Sequence, residues 1–500
     1  MNTQKLGYSI LVIGILAIAF SLVADYLGLG KPGIQAAQLL GIQAGVVITL
    51  LGVGVVIAGK NVKRIPSTLS WGSIDQLLNL PTYIWVVSAF LIAYVLLFIF
   101  PVFLNPVHRI QYFNRYIPEL APIGNDLRYN TGNIRDWLSS QAGLYDSPEH
   151  YYPPLYAVVF APILLISYPA NYYLITAVTI GSTILLFLLI PAFTNARSVS
   201  ALSAFFFLTL IFSYGMQFEL ERGQFNIIAF TLCILAIYMF HYHEAFRHLA
   251  YLLFSVAVQI KLYPAIFIFM FIKDWRDWRN NLLRFVGLGL FNIALLFVLG
   301  YSVFLDFFKA LIQHMGLSLT FPGNHSIKAF VYNLTNSGFG LFQQSTISWL
   351  KDNSSAIEAL FFAFYFLCLL AHLVKAYKNK ASGINPDLLL TCTIGAMILP
   401  AVSIDYKLPL LAAPLAMALS HRPMPFMRFR KILAILLVFF LSFAYSMTLF
   451  PYIYRPEYLA NSLPMLIVIL AAITLLSFLD SGTETESARS EKRPAESSNQ

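Results

Sequence analysis

"GYSILVIGILAIAFSLVADYLGL" occupies residues 7–29 and carries one charged side chain, Asp25. An apolar run of this length suits a helix that crosses the hydrocarbon of a bilayer, which takes about 20 residues. It is too long for a signal peptide and lacks a convincing small-residue cleavage site, so it reads as a retained helix. Similar runs recur through the 500 residues. Hydrophobic residues make up 58% of the chain, Asp, Glu, Lys and Arg only 11%, and the mean hydropathy is +0.71. A soluble globular chain is not so apolar. Helices follow rather than open sheets, because a strand edge in lipid leaves backbone groups unpaired. Nothing alternates in the manner of a membrane β-barrel.

The pattern predicts an all-α, polytopic integral membrane protein with about fourteen spans, or roughly twelve if two short ones do not cross. They fall near 7–28, 36–59, 82–104, 153–168, 171–194, 200–214, 225–241, 248–272, 282–303, 355–377, 385–404, 407–420, 431–451 and 461–479. The segments 200–214 and 407–420 are short enough to be tilted, half-buried or re-entrant.

The net charge of +9 is spread over short loops. A nucleic-acid binder would gather it on one soluble face, so nucleic acid is excluded as a partner and topology explains the charge. Basic residues mark the loop with Lys60, Lys63 and Arg64, "KDWRDWRNN" (273–281), "KAYKNK" (375–380) and "HRPMPFMRFRK" (421–431). Placing these loops in the cytoplasm puts both termini inside and the long loops 105–152 and 304–353 outside. The same parity leaves "ELERGQFN" (219–226) near the cytoplasmic side unless its short neighbour is re-entrant.

The chain therefore divides into an N-terminal hairpin with a basic loop (1–80) and a membrane core with the first outer loop (81–303). The second outer loop (304–353), the C-terminal helices (354–480) and a polar, disordered tail (481–500) follow. Gly41, Gly45, Gly52 and Gly54 are spaced for close packing of the hairpin helices, or reflect only how common glycine is in membrane helices. Cys233, Cys368 and Cys392 lie in apolar runs, with neither metal-site spacing nor a disulfide framework.

Against this apolar background, "GNDLRYNTGNIRDWL" (124–138) gathers acids, bases and amides just after a long apolar stretch. It leads into "AGLYDSPEHYYPPLYAVVFAPI" (142–163). The series is D-L-x-Y, then G-L-Y-D, then Y-P-P-L entering a helix. Three later patches join it: "ERGQFNIIAF" (221–230), "IKLYPAIFI" (260–268) and "GNHSIKAF" (323–330).

In order and spacing, these patches resemble glycosyltransferase family 87, the polyprenol-phosphate-mannose-dependent mannosyltransferase-like proteins of the GT-C superfamily. The resemblance spans roughly residues 80–420. One patch departs: in "SIDYKL" (403–408), Ser403 and Asp405 match, but Tyr406 stands where relatives carry His.

The resemblance implies transfer of a sugar, mannose or another hexose, from a polyprenyl phosphate to a hydroxyl of an extracytoplasmic glycan or glycolipid. It implies a multi-pass enzyme of the plasma (inner) membrane with its site on the outer side, and inversion at the sugar carbon. It also implies Asp126 as general base, since a poor hydroxyl nucleophile must lose a proton as it attacks. Asp136 and Asp146 are the rival acids, with ion pairing and a turn as their plainer roles.

The departing lipid phosphate needs cations or N–H donors. Candidates for donor binding are Lys261, Arg222, Gln224, Asn324, His325, Asp405, Lys407 and Arg128, with Lys328 in the same loop as His325. Lys261 stands in an apolar helix, where an ionised side chain is costly and usually functional; snorkelling is the alternative. Asp405 and Lys407 are also placed to form a plain ion pair. Tyr129, Trp137, Tyr145, Tyr151 and Tyr152 suit stacking on a sugar and equally the membrane-interface belt, with the belt favoured for Tyr151 and Tyr152. No D-x-D is present, and the expected chemistry uses no metal or cofactor. The competing readings are an O-antigen-type polymerase and a transporter or lipid flippase.

Overall fold

The computed structural model describes residues 3–24, 27, 41, 42, 45, 48, 49, 52, 124–147, 150–168, 170–194, 210, 211, 213–316, 323–338, 341–378, 383–420 and 461–491. The spans expected near 82–104 and 431–451, and the basic loops at 60–64 and 421–431, lie outside these residues. Among the described residues every regular element is helical, and the single bridge joins Asn324 to Ile404.

Helix α1 is Thr3–Val23, the helix read from the opening stretch. It crosses the glycine-bearing segment closely: a Cβ on Gly45 would lie 2.9 Å from the Gly14 carbonyl oxygen. The small residues thus let two backbones meet. Helix α2 is Asn125–Leu138, α3 is Pro154–Phe160 and α4 is Ala170–Thr194. Helix α5 is Tyr214–Arg222, α6 is Asn226–Tyr242, α7 is Arg247–Ile260 and α8 is Trp278–Leu295.

The segment expected as the second outer loop contains three helices, α9 (Tyr301–Gly316), α10 (Ile327–Asn336) and α11 (Gln344–Asp352). The chain ends in α12 (Ser354–Lys378), α13 (Pro386–Ile398), α14 (Ala412–Ser420) and α15 (Leu463–Glu491).

Helices α6 and α13 form the centre. Every residue of α13 is buried, and α6 is buried on nearly all sides. A helix apolar all round belongs in the middle of a bundle. Helix α12 shows its outer face instead, with only 22% of its apolar window buried. That face is suited to lipid tails.

By length and composition, three helices of the described residues are apolar enough to cross a membrane, or four if the bent pair α5–α6 counts as one span. Several expected spans are broken. The segment predicted as one helix at 248–272 stops at Ile260, and a 3₁₀ stretch, Tyr263–Met270, follows an extended Lys261. Pro264 lacks the N–H that a continuing helix would need. Likewise 407–420 begins as a 3₁₀ stretch, Asp405–Leu411, that contains Pro409. The tail expectation is corrected at its start: α15 runs on to Glu491, past Ser481. A helix already nucleated in the apolar segment extends cheaply into a run with Glu, Ala and Arg.

Candidate active site

Helix α2 starts at Gly124, whose φ of 70° is left-handed and readily adopted by glycine. The Gly124 N–H donates to the Glu221 carbonyl at 2.7 Å, and the Tyr172 hydroxyl donates to the Leu220 carbonyl at 2.6 Å. The start of α2 is thereby tied to the end of α5. Asp126 then falls in the first turn of α2, where the helix dipole favours a carboxylate.

Helices α5 and α6 meet at an elbow of 107°. Gly223, with φ 64°, closes α5, and the Gln224 N–H donates to the Glu219 carbonyl at 2.9 Å. The buried Glu219 carboxylate accepts from the Ile227 N–H at 3.1 Å and from Asn226 Nδ2 at 2.8 Å, so it caps α6. Each letter of "RGQFN" (222–226) therefore has a mechanical reading.

The elbow aims two side chains at Asp126. Arg222 Nη1 donates to Oδ1 at 3.2 Å, and Gln224 Nε2 donates to Oδ2. The Gln224 carbonyl oxygen accepts from Lys261 Nζ at 2.9 Å, which fixes the amide with nitrogen toward the acid and oxygen toward the ammonium. Lys261 Nζ also donates to the Tyr152 hydroxyl at 2.9 Å and lies 4.4 Å from the centre of the Phe225 ring. Asp126 keeps 26% of its side chain exposed, whereas Lys261 is buried. The acid is open to a partner and the cation is held in place.

A valine at position 223 would force a β-branched residue to φ 64°, and its Cβ would lie 3.0 Å from Leu127. We expect Gly223→Val to cost at least about 1–2 kcal/mol. Thermal unfolding in detergent should show the loss beside a Gly132→Ala control. Gly132 has open space around it, and alanine favours helix there.

A second clip joins distant segments. Asn324 Oδ1 accepts from the Ser403 N–H at 2.8 Å, and Asn461 Nδ2 donates to the Asn324 carbonyl at 2.7 Å. The Ser462 N–H donates to His325 Nδ1 at 3.0 Å, so the ring proton sits on Nε2 and faces Asp405 Oδ1 at 2.8 Å. Asn324 and His325 are fully buried and hold the 401–405 backbone. The clip sets up Lys407, whose buried Nζ donates to the Val402 carbonyl at 3.0 Å. The expected Lys407–Asp405 ion pair is absent among the described residues, because Asp405 faces His325. Tyr406 packs on Phe218, with ring centres 5.6 Å apart.

Other expected residues are placed as follows. Arg128 turns away from Asp126 and lies over the Tyr168 ring at 4.9 Å. Tyr129 is one turn beyond Asp126 on the same face of α2, and Trp137 packs at the edge of the core. The Tyr145 hydroxyl donates to the Tyr152 carbonyl at 2.7 Å. Asp146 accepts from the Gly143 N–H at 2.6 Å, a turn role, and Asp136 makes no ion pair among the described residues. Lys328 donates to the Met315 carbonyl on the exposed side.

Three open alternatives are narrowed. Tyr152 belongs to the core and touches Lys261, so it is no belt residue. Lys261 reaches Gln224 and Tyr152, so the snorkelling alternative falls away. The elbow brings Arg222 and Gln224 to Asp126, which helix parity had separated.

Sequence reasoning missed the supports. His150 bonds Asn130 Oδ1 at 3.2 Å, and Asn130 Nδ2 donates to the Asp126 carbonyl at 2.7 Å. Burial pushes His150 down to about 4, so it serves as a neutral strut. His314 stacks on Tyr151 at 3.4 Å; burial and the nearby Lys407 and Lys261 charges push it down to about 4. Glu219 was visible only as an acid in an apolar setting, within "ELE" (219–221).

An all-helical apolar framework with a polar cluster at a helix elbow defines a polytopic membrane protein with an enclosed acid–cation centre. The model of Glycosyltransferase family 87 matches residues 150–403, just over half of the chain. The chain belongs to that family and is a membrane glycosyltransferase. A search of curated proteins found no match. The matched stretch holds Arg222, Gln224, Lys261, Asn324 and His325; Asp126 precedes it and Lys407 follows it.

Proposed function

We propose that the protein moves a sugar, mannose or another hexose, from a polyprenyl-phosphate donor to a hydroxyl of an extracytoplasmic glycan or glycolipid. Asp126 is the general base. The acceptor hydroxyl gives its proton to Asp126 as its oxygen attacks the sugar carbon. The bond from that carbon to the phosphate oxygen breaks, and the polyprenyl phosphate leaves with the electron pair. A single in-line displacement inverts the sugar carbon.

The carrying observation is one partly open carboxylate, Asp126, joined through Gln224 to the buried Lys261, with a second buried lysine, Lys407, held at the Val402 carbonyl. Neither Lys261 nor Lys407 forms a salt bridge among the described residues. A buried cation without a carboxylate partner is suited to an incoming phosphate, whose charge grows as it leaves. Each Asp126 oxygen accepts one protein donor, which leaves lone pairs for the acceptor hydroxyl. Arg222 and Gln224 orient the base.

The proposed setting is the plasma membrane, with the site facing outward and both termini inside. Purified protein in detergent, given a panel of polyprenyl-phosphate sugars and glycolipid acceptors, should yield a lipid product one sugar heavier by mass spectrometry. A polymerase would join preformed repeat units instead, and a transporter would give no product without a sealed membrane. The lysines supply the positive charge that a metal would bring, so turnover should persist in EDTA. Loss of activity restored by Mg²⁺ or Mn²⁺ would overturn metal independence.

A further inference from the structure

Helix α6 has the Asp126 cluster at its Asn226 end and a second concavity at its Tyr242 end. Its 17 residues separate the two by about 24 Å along the axis. The antiparallel α7 repeats the arrangement, running from Arg247 in the concavity to Lys261 in the cluster. The two features therefore lie near opposite boundaries of a hydrocarbon layer about 30 Å thick. The concavity holds about 1280 Å³, room for a ligand of its own.

Its walls differ in chemistry. Arg284 stands at the polar wall. Its Nε donates to the Tyr251 hydroxyl at 3.1 Å, and its Nη1 donates to the Phe271 carbonyl and to Asn281 Oδ1, both at 2.8 Å. All three acceptors are neutral. Among the described residues Nη2 has no acceptor and no carboxylate pairs with the guanidinium. The neighbouring charges are already engaged: Lys273 and Arg247 pair with Glu244. Asp274 accepts from the Arg276 N–H at 2.9 Å, and Asp277 caps α8 through Asn280. Arg284 is thus a fixed cation, packed over the Phe240 ring at 4.9 Å, with Nη2 left to donate to a phosphate oxygen.

The other wall is apolar and opens outward. Leu283 is 68% exposed and Phe291 42% exposed, and both lie on the α8 face that lines the concavity. Gly287, between them, has no atom within 4 Å of where a Cβ would stand, so it leaves a groove between the two side chains. A polar head pocket continuous with an apolar groove fits an amphiphile.

We propose that this cavity binds a glycerophospholipid, its phosphodiester on Arg284 and an acyl chain along Leu283, Gly287 and Phe291, at the membrane boundary opposite the Asp126 cluster. The site is separate from the transfer reaction and does not depend on the sugar or acceptor assigned above.

Native mass spectrometry of the purified full chain tests it, with phosphatidylglycerol, diacylglycerol and inorganic phosphate as probes. Phosphatidylglycerol should be retained at concentrations at least about tenfold lower than diacylglycerol, equivalent to about 1.4 kcal/mol or more. Arg284→Gln should lose that preference. Gly287→Phe should lose the lipid while keeping the arginine, because a ring there occupies the groove and no atom stands within 4 Å of where its Cβ would be. If Arg284→Gln unfolds on heating well before wild type, Gly287→Phe alone decides. Unchanged lipid retention in Gly287→Phe overturns the proposal. So does equal retention of diacylglycerol, or displacement of the lipid by inorganic phosphate, which would mark a site for a free anion.

Discussion

Asp126→Asn should lower turnover by about 10²–10⁴-fold, the usual contribution of a positioned general base. The variant should insert and fold, because asparagine matches the shape of aspartate, at a somewhat lower unfolding temperature, because the Arg222 ion pair is lost. Its amide nonetheless creates a local conflict. Gln224 presents its nitrogen to this position and cannot flip, since a flip would turn that nitrogen on Lys261. One oxygen can still accept from Arg222, but the other position now opposes donor with donor. Asp126→Glu keeps the charge and moves the carboxylate by one methylene, so it should keep a small fraction of the activity. Initial rates with saturating donor lipid separate these outcomes. Turnover near wild type in Asp126→Asn would remove the base assignment and return attention to Asp136 or Asp146.

Lys261→Met should produce the second large effect. If Lys261 stabilises charge that develops on the leaving phosphate, kcat falls by about 10²–10³-fold. KM changes little, because the interaction strengthens mainly in the transition state. Stability should move the other way. Among the described residues the buried ammonium has Gln224 and Tyr152 as polar partners and no carboxylate, so an apolar side chain in its place removes the desolvation cost of an unpaired charge. A variant that is inactive and at least as heat-resistant as wild type marks a residue kept for chemistry. A rise in KM alone would mean that Lys261 only binds the ground-state donor. Lys261→Arg should restore part of kcat, since the charge returns while the fork fits poorly between Gln224 and the rings of Tyr152 and Phe225.

Much of the centre was legible from residue types. Asp126, Arg222, Gln224 and Lys261 stand out because ionisable and amide groups are rare in so apolar a chain. Their mutual arrangement was not legible. Asp126 and Gln224 are 98 positions apart, and helix parity put them on opposite faces of the membrane. Parity treats each apolar run as a rod that crosses, but α5 ends at a left-handed glycine and turns by 107°. Tyr152 and Glu219 were hidden for a related reason. A tyrosine after a loop looks like an interface anchor, and an acid near a helix end looks solvated, until the folded chain shows what covers them.

By itself the sequence determined that this chain lives in a membrane as helices, and that its few charges collect at particular points. Both follow from hydropathy, which each residue carries whatever its neighbours. Only the tertiary structure decided which of those points meet. Contacts such as Arg222 with Asp126, Lys261 with Gln224 and His325 with Asp405 depend on helix breaks at Gly223 and after Ile260 and on the non-helical stretch before Asp405. Breaks of that kind are set by backbone hydrogen bonding and packing among distant segments, which no local window of apolar residues records.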